Sequence, residues 1–402
     1  MSQRVFITGF GIITSIGKNA EENFNSLVEG KYGFGTLEIL DSIHRQSLSA
    51  CEIKLEEQEL CMLAGVPFHQ GFTRTSLIGL IALKEGIESA GLLPEEVQSS
   101  GLISATTTGG IREFEKHYYE IMDPQLRGDF VRFTDTATSG EHCERMADHV
   151  GIKKYLGTIS TACSSSANAL MHGAQLIKNN KLNRVICGGT EALSKFTVNG
   201  FNALMILDKD HCRPFDTTRN GLNLGEGAAY IVLESEAEVD RKKRKPIAEL
   251  KGYGNANDAF HQTASSPDGA GAFSAMSQAI SSAKIQPGDV DYINAHGTAT
   301  ENNDLSEGLG LKRLFKDSIP FFSSTKPYTG HTLAAAGSIE AAYCLMAIKR
   351  EVIWPNLNYK NVMPELGIEP VSILKKGIIL KNVLSNSFGF GGNTSSLLLA
   401  SV

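Results

Sequence analysis

The sequence predicts an α/β protein of stacked sheets and helices, and three observations carry that prediction. Short apolar and β-branched runs alternate with longer segments whose small and apolar residues recur every three or four positions. Three reactive side chains, Cys163, His296 and His331, each stand where a strand-like run gives way to a helix-like or small-residue segment, the place where α/β proteins hold their ligands. The two halves of the chain are also weakly alike: each brings a strand, a reactive residue and a small-residue helix, at 163–177 and at 331–348.

Residues 5–8 open the chain as a strand. Arg4 before Val5-Phe6-Ile7 and Phe10-Gly11-Ile12-Ile13 looks at first like the start of a secretory signal. Thr8, Gly9 and Gly11 break the apolar run, no small-x-small cleavage site follows, and 19–27 reads as a helix, so a buried strand with a glycine turn is expected instead. A helix is predicted at 77–90, a strand at 101–105, an extended segment at 156–161, a helix at 162–178, and strands at 184–187 and 228–233. The segment 112–144, poor in strand signals and rich in charge, reads as an insertion. The charged run 234–245 reads as an exposed helix or connector and divides the chain into halves, 1–240 and 241–402. Strands at 247–252, 290–295, 320–323 and 395–400 then alternate with helices at 273–283, 304–314 and 332–349.

Composition narrows the function. A chain of 402 residues, 42% hydrophobic, buries a large core, and a net charge of −6 provides no global attraction to nucleic acid or anionic membrane. Seven cysteines are scattered singly, with no C-x-x-C pair, which argues for a reducing compartment and against a disulfide framework or a metal site. No apolar run approaches the ~18 residues that span a bilayer, and a cytoplasmic protein is expected.

Cys163 lies in Ser160-Thr161-Ala162-Cys163-Ser164-Ser165, and Cys163, Ala167, Leu170, Ala174 and Ile177 fall on one helical face. A helix N-terminus favours thiolate, so this is a housing for a nucleophile. The plain alternative is a small buried cysteine without chemistry. Two further junctions weigh against it: His296 in Asn294-Ala295-His296-Gly297-Thr298-Ala299-Thr300, and His331 in Ser324-Thr325-Lys326-Pro327-Tyr328-Thr329-Gly330-His331.

At these residues the chain resembles the β-ketoacyl-acyl-carrier-protein synthases, in their elongating branch with a Cys-His-His triad. The resemblance runs from Arg4-Val5-Phe6-Ile7-Thr8-Gly9-Phe10-Gly11 to Asn386-Ser387-Phe388-Gly389-Phe390-Gly391-Gly392. Initiating synthases carry Cys-His-Asn, against which His331 argues. Thiolases use a second, C-terminal cysteine, whereas the last one here, Cys344, sits in a predicted helix. The resemblance implies a thiolase-like five-layer α-β-α-β-α fold of two similar halves with the site between them, the insertion serving the dimer and the acyl channel. It implies a decarboxylative Claisen condensation of an acyl-Cys163 thioester with malonyl on an acyl carrier protein, with His296 and His331 as imidazole donors, chiefly through Nε2, and the backbone N–H groups of Cys163 and Phe390 as the oxyanion hole.

Other positions follow from the same resemblance. Lys326 matches the lysine beside the histidine pair, and Glu340, on a helix face where an unpaired carboxylate would be costly, is its expected partner. Asp304 and Glu307 are expected to complete that charge network. Thr298, Thr300 and Thr263 are assigned to the phosphopantetheine arm. Phe390 is the gate, with Phe388 beside it and Gly389, Gly391 and Gly392 around it, and Phe201 and Thr108 line the acyl pocket. No tightly bound cofactor or metal is implied, since the substrates ride on the phosphopantetheine of the carrier. A homodimer is expected, and a heterodimer with a related subunit stays open.

The glycine-rich 221–227 segment precedes a strand and contains Glu226, so it reads as a structural turn and not a nucleotide loop. A cysteine hydrolase would leave His331 and Lys326 without purpose, and a silent partner subunit would lack Cys163. The chain departs from the housekeeping pattern in lacking a cationic cluster at 64–76, in carrying Met205 where arginine is common, in a short 207–213 segment, and in reading Asn393-Thr394 where Thr then Asn is usual. These departures put the carrier in doubt and keep open a dedicated polyketide, aryl polyene or specialised-lipid pathway beside fatty acid elongation.

Overall fold

Val5–Thr14 forms β1, and every residue in it is buried. Gly9 and Gly11 make no turn. A Cβ on Gly11 would lie 2.2 Å from the Ala82 carbonyl oxygen and 2.5 Å from the Gly86 nitrogen, so glycine here is the space into which the following helix, α1 (Arg74–Ser89), packs. The computed structural model describes residues 3–68 and 70–402, which leaves His69, within the cation-poor segment 64–76, outside the described residues.

Nine further strands join β1: β2 (Gly101–Ala105), β3 (Tyr155–Ile159), β4 (Arg184–Glu191), β5 (Gly227–Ser235), β6 (Ala248–Asn257), β7 (Tyr292–Asn294), β8 (Phe321–Ser323), β9 (Asn382–Phe388) and β10 (Asn393–Ala400). Their spatial order is β8-β7-β9-β10-β6-β1-β5-β4-β2-β3. The join between β6 and β1 consists of two residue pairs, Phe6 with Glu249 and Ile7 with Ala248. Outward from it each side repeats one pattern. β1 is antiparallel to β5, β5 to β4, and β4 parallel to β2 and β2 to β3. β6 is likewise antiparallel to β10, β10 to β9, and β9 parallel to β7 and β7 to β8.

The helices complete the five predicted layers. α1 covers the outer face of the first half-sheet. α2 (Ser165–Lys178) and α5 (Ala336–Arg350) pack on each other between the half-sheets, and α3 (Ala270–Ala283) covers the second with α4 (Glu301–Phe315) packed beside it. Burial follows the layers. α5 is buried without interruption from Ala336 to Ile348, because it meets a sheet on either side, and α2 buries Ala167, Leu170, Ala174 and Ile177 as their spacing predicts. No helix among the described residues is long and apolar enough to cross a membrane.

Several expectations change. The strand β9 was not legible, because Asn382, Ser385, Asn386 and Ser387 are poor strand formers. Within the sheet Asn386 is satisfied by Glu307 and Ser396, at 3.0 and 2.7 Å. The charged run 234–245 is not simply exposed. Its helix spans Glu236–Lys242, while Glu234 is buried and accepts from Arg184 at 2.7 Å and Arg244 at 2.9 Å. Glu226, at the end of the glycine-rich segment, is fully buried against Arg74 at 2.6 Å. The insertion 112–144 holds short helices at Ile111–Lys116 and Tyr118–Met122 and a 3₁₀ stretch at Asp129–Ala137, and exposes Tyr119 and Met122.

Candidate active site

Cys163 sits between β3 and α2, not inside the helix. The chain leaves β3, turns through Ala162 at φ 52°, and enters α2 at Ser165. A left-handed alanine is strained, and local bonds hold it: the Ser165 hydroxyl accepts from the Thr161 N–H at 2.8 Å and donates to the Ala162 carbonyl at 2.5 Å. The thiol is thereby buried at the head of α2. Burial pushes it up to about 12, opposed by the Lys326 charge and by a hydrogen bond from the Phe390 N–H. Desolvation thus outweighs the pull of the helix start, and the cysteine rests as a thiol where the sequence suggested thiolate.

His296 follows β7 on a turn whose backbone is clamped from α4. Glu307 accepts the His296 and Gly297 N–H groups at 2.9 and 2.8 Å, and Asp304 accepts those of Ala299 and Phe215 at 3.1 and 2.7 Å. Asp304 and Glu307 therefore hold the histidine turn through its main chain and make no ion pair with Lys326, which corrects the expected network. Burial raises both carboxyls, Glu307 to about 6.

Lys326 and Glu340 do pair, at 2.5 Å. The remaining donors of the ammonium reach the His296 carbonyl oxygen at 2.5 Å and His296 Nδ1 at 3.2 Å. An ammonium has no lone pair, so Nδ1 must accept, and the imidazole proton is left on Nε2. His331 lies beyond the short helix Lys326–Thr329, five residues before α5 begins, instead of opening that helix. The 221–227 segment grips its backbone: its N–H donates to the Asn223 carbonyl at 2.7 Å and its carbonyl accepts from the Gly225 N–H at 3.0 Å. The two imidazoles stand edge to face with centroids 5.3 Å apart. Burial, then the Lys326 charge, holds both well below the ordinary histidine range, with His331 also depressing His296.

Lys326→Ala removes both the charge and the bond that selects the tautomer. Nitrogen-15 shifts of the imidazoles should show a single neutral Nε2–H form of His296 in the wild type at about pH 6, and a tautomer mixture with upward-shifted titration in the variant. Identical spectra for the two proteins would show that Lys326 does not set the state of His296.

A cavity of about 420 Å³ is lined by Cys163, His296, His331, Phe388, Gly389 and Phe390 together with Phe201, Thr298 and Thr300, and exposed Thr263 and Met205 mark its mouth. Phe201 and Phe390 stack at 5.7 Å, and the Thr298 and Thr300 hydroxyls share a bond of 2.8 Å. Gly389 is required by space: a Cβ there would lie 2.8 Å from the Thr161 carbonyl oxygen. Gly391 and Gly392 are not among the lining residues, and neither is Thr108. Contrary to expectation, the Thr108 hydroxyl donates to Glu191 at 3.0 Å.

Glu191 and Asn393 are what the reading of site residues missed. Buried Glu191 ends β4, accepts the Thr107 and Ala334 N–H groups at 2.7 and 3.3 Å, and so ties the loop after β2 to the turn after His331. Asn393 accepts from Ser164, Asn168 and Asn255 at 2.6, 2.9 and 3.0 Å and ties the Phe390 loop to the nucleophile turn. The swapped Asn393-Thr394 order was the one available signal for the second. Nothing in the local sequence marks the first.

Two family models match the chain: the β-ketoacyl synthase N-terminal domain over residues 2–239 and the β-ketoacyl synthase C-terminal domain over residues 247–360. The 3-oxoacyl-[acyl-carrier-protein] synthase 1 of Haemophilus influenzae is 32% identical, covering 98% of this chain and 98% of its own. The synthase 2 of Synechocystis sp. is 31% identical over 98% of this chain and 97% of its own. Among solved structures, the ishigamide ketosynthase/chain length factor superposes with a TM-score of 0.92 at 27% identity, covering all of both chains.

Proposed function

Because the chain belongs to the β-ketoacyl synthase family, we propose that it condenses an acyl group held on Cys163 with a malonyl thioester, both delivered on the phosphopantetheine of an acyl carrier protein. The observation that carries this reading is the convergence of Cys163, His296 and His331 on one cavity, with Lys326 fixing the tautomer of His296.

In the first step Cys163 Sγ attacks the acyl thioester, the carrier thiol departs with the cysteine proton, and the thioester exchange is close to isoenergetic. Charge on the acyl oxygen is received by the N–H groups of Cys163 and Phe390, the latter already pointed at the sulfur. In the second step malonyl loses CO₂. The electron pair left behind forms an enolate whose oxygen takes hydrogen bonds from the imidazoles of His296 and His331. Neutral imidazoles suit this, since their low proton affinity in the buried site keeps them as N–H donors without adding charge. The enolate carbon attacks the Cys163 thioester, the carbon–sulfur bond breaks, and the departing thiolate takes up one proton from solvent. Lys326 and Glu340 position the pair, Asp304 and Glu307 position the turn, Thr298, Thr300 and Thr263 face the arm, and Phe390 with Phe388 gates the acyl pocket.

Residues 1–240 and 241–402 form the two halves of this enzyme, which acts in the cytoplasm as a dimer. The exposed edge strand β3 and the apolar Tyr119 and Met122 of the insertion suit a second copy or a related subunit. Fatty acid elongation is the first reading of its pathway. Exposed Met205 at the mouth and the likeness to a ketosynthase/chain length factor favour a dedicated polyketide or specialised-lipid pathway as the second. Mass spectrometry of Cys163 after incubation with a panel of acyl-carrier thioesters tests both. Acylation of Cys163 supports the reaction and its chain preference indicates the pathway, while no adduct from any thioester would sink the proposal.

A further inference from the structure

Met205 combines two unfavourable features. It is a non-glycine residue at φ 55°, and its apolar side chain is 89% exposed. Left-handed backbone at a bulky residue persists only where something outweighs the strain, and a large exposed apolar side chain gains nothing from the fold itself. The residue follows Leu204, the exposed C-cap of the helix Lys195–Ala203, and it lines the same cavity as Cys163.

The lining of the cavity is poor in charge. Among the described residues no lysine or arginine lines the cavity, and the one carboxylate is Glu301. Of the nearby cations, Arg213 pairs with Asp208 at 3.3 Å and Arg219 donates to the Glu301 carbonyl at 2.9 Å, while Lys209, four residues from Met205, is exposed. Met205 is the most exposed apolar residue of this lining, so a body whose thioester arm enters the cavity beside it meets that side chain.

Resting on the condensing function proposed above, we propose that Met205, with Leu204 beside it, is an apolar anchor for the carrier protein, and that this enzyme holds its carrier at the mouth by apolar contact instead of by a ring of ion pairs. Methionine suits the task, since its flexible, polarizable side chain adapts to a partner's apolar helix face. Salt screens ion pairs between proteins but leaves apolar contacts nearly untouched.

With Cys163 loaded from a saturating acyl-pantetheine thioester, the test compares two malonyl substrates, malonyl on an acyl carrier protein and malonyl on free pantetheine, in wild type, Met205→Asp, Leu204→Asp and Met205→Gly. For each variant kcat/KM should fall about tenfold further on the carrier substrate than on the pantetheine substrate. Met205→Gly should do so while unfolding at no lower temperature than wild type, because glycine relieves the positive φ. Wild-type kcat/KM on the carrier should change little from low to physiological ionic strength. Equal losses on both substrates would make Met205 a pocket residue and overturn the anchor, as would a steep decline of the wild type with salt. Loss of turnover by the wild type on both substrates would overturn the condensing function itself, and the anchor with it.

Discussion

Cys163→Ser is expected to fold with unchanged thermal stability and to lose condensation by about three orders of magnitude or more. The two side chains are nearly isosteric, and the site holds the residue through its backbone turn and through the Ser165 hydroxyl, neither of which the substitution touches. What changes is the chemistry. Exchange of one thioester for another is close to isoenergetic and has a good leaving group in both directions, whereas an acyl-serine ester is a poorer acyl donor to an enolate. The resting thiol, already pushed up to about 12, must give up its proton only as the carrier thiol leaves. A serine hydroxyl in the same desolvated place would be far harder to ionise. Carbon–carbon bond formation near the wild-type rate in this variant, measured with malonyl and acyl carriers together, would remove Cys163 from the mechanism.

His296→Ala and His331→Ala are expected to separate the two half-reactions. Each should still acylate Cys163, since the oxyanion donors of that step are backbone N–H groups, but each should lose about 10²–10³ in the rate of condensation with malonyl, the typical result of deleting one donor to a developing oxyanion. Single-turnover mass spectrometry reads both steps on one sample: the acyl-Cys163 adduct accumulates and is not consumed when malonyl thioester is added. The variants should also differ from each other. His296→Ala leaves Lys326 one acceptor short, although the 296 carbonyl and Glu340 remain, while His331→Ala removes a ring that Lys326 does not touch. Normal consumption of malonyl by either variant would require a different pair of enolate donors.

The reactive trio and the layered fold were legible because each rests on local chemistry. Cys163, His296 and His331 are reactive residue types at strand-to-helix junctions, and the alternation of short apolar runs with small-residue helices reports which segments are buried on one face or two. The pairing of Lys326 with Glu340 was also within reach of the sequence, since a carboxylate in an otherwise apolar helix demands a partner. What escaped depends on groups distant in the chain.

β9 reads as polar through its asparagines and serines, and Asn386 is tolerated there because Glu307 of α4 and Ser396 of the neighbouring strand satisfy it, contacts that no local pattern announces. The glycines of β1 resembled a turn because only the packed helix α1 reveals the close approach they permit. Asp304 and Glu307 are suitably placed to join an ion-pair network, yet the tertiary structure turns them onto backbone N–H groups of the His296 turn. The protonation state of Cys163 was decided the same way. A helix start lowers a thiol's pKa by a local dipole, and burial beneath the second half of the molecule raises it by more. Local sequence fixes which groups are present and which backbone they favour. The low-dielectric surroundings and the long-range partners that set their charge exist only once the two halves have closed around the site.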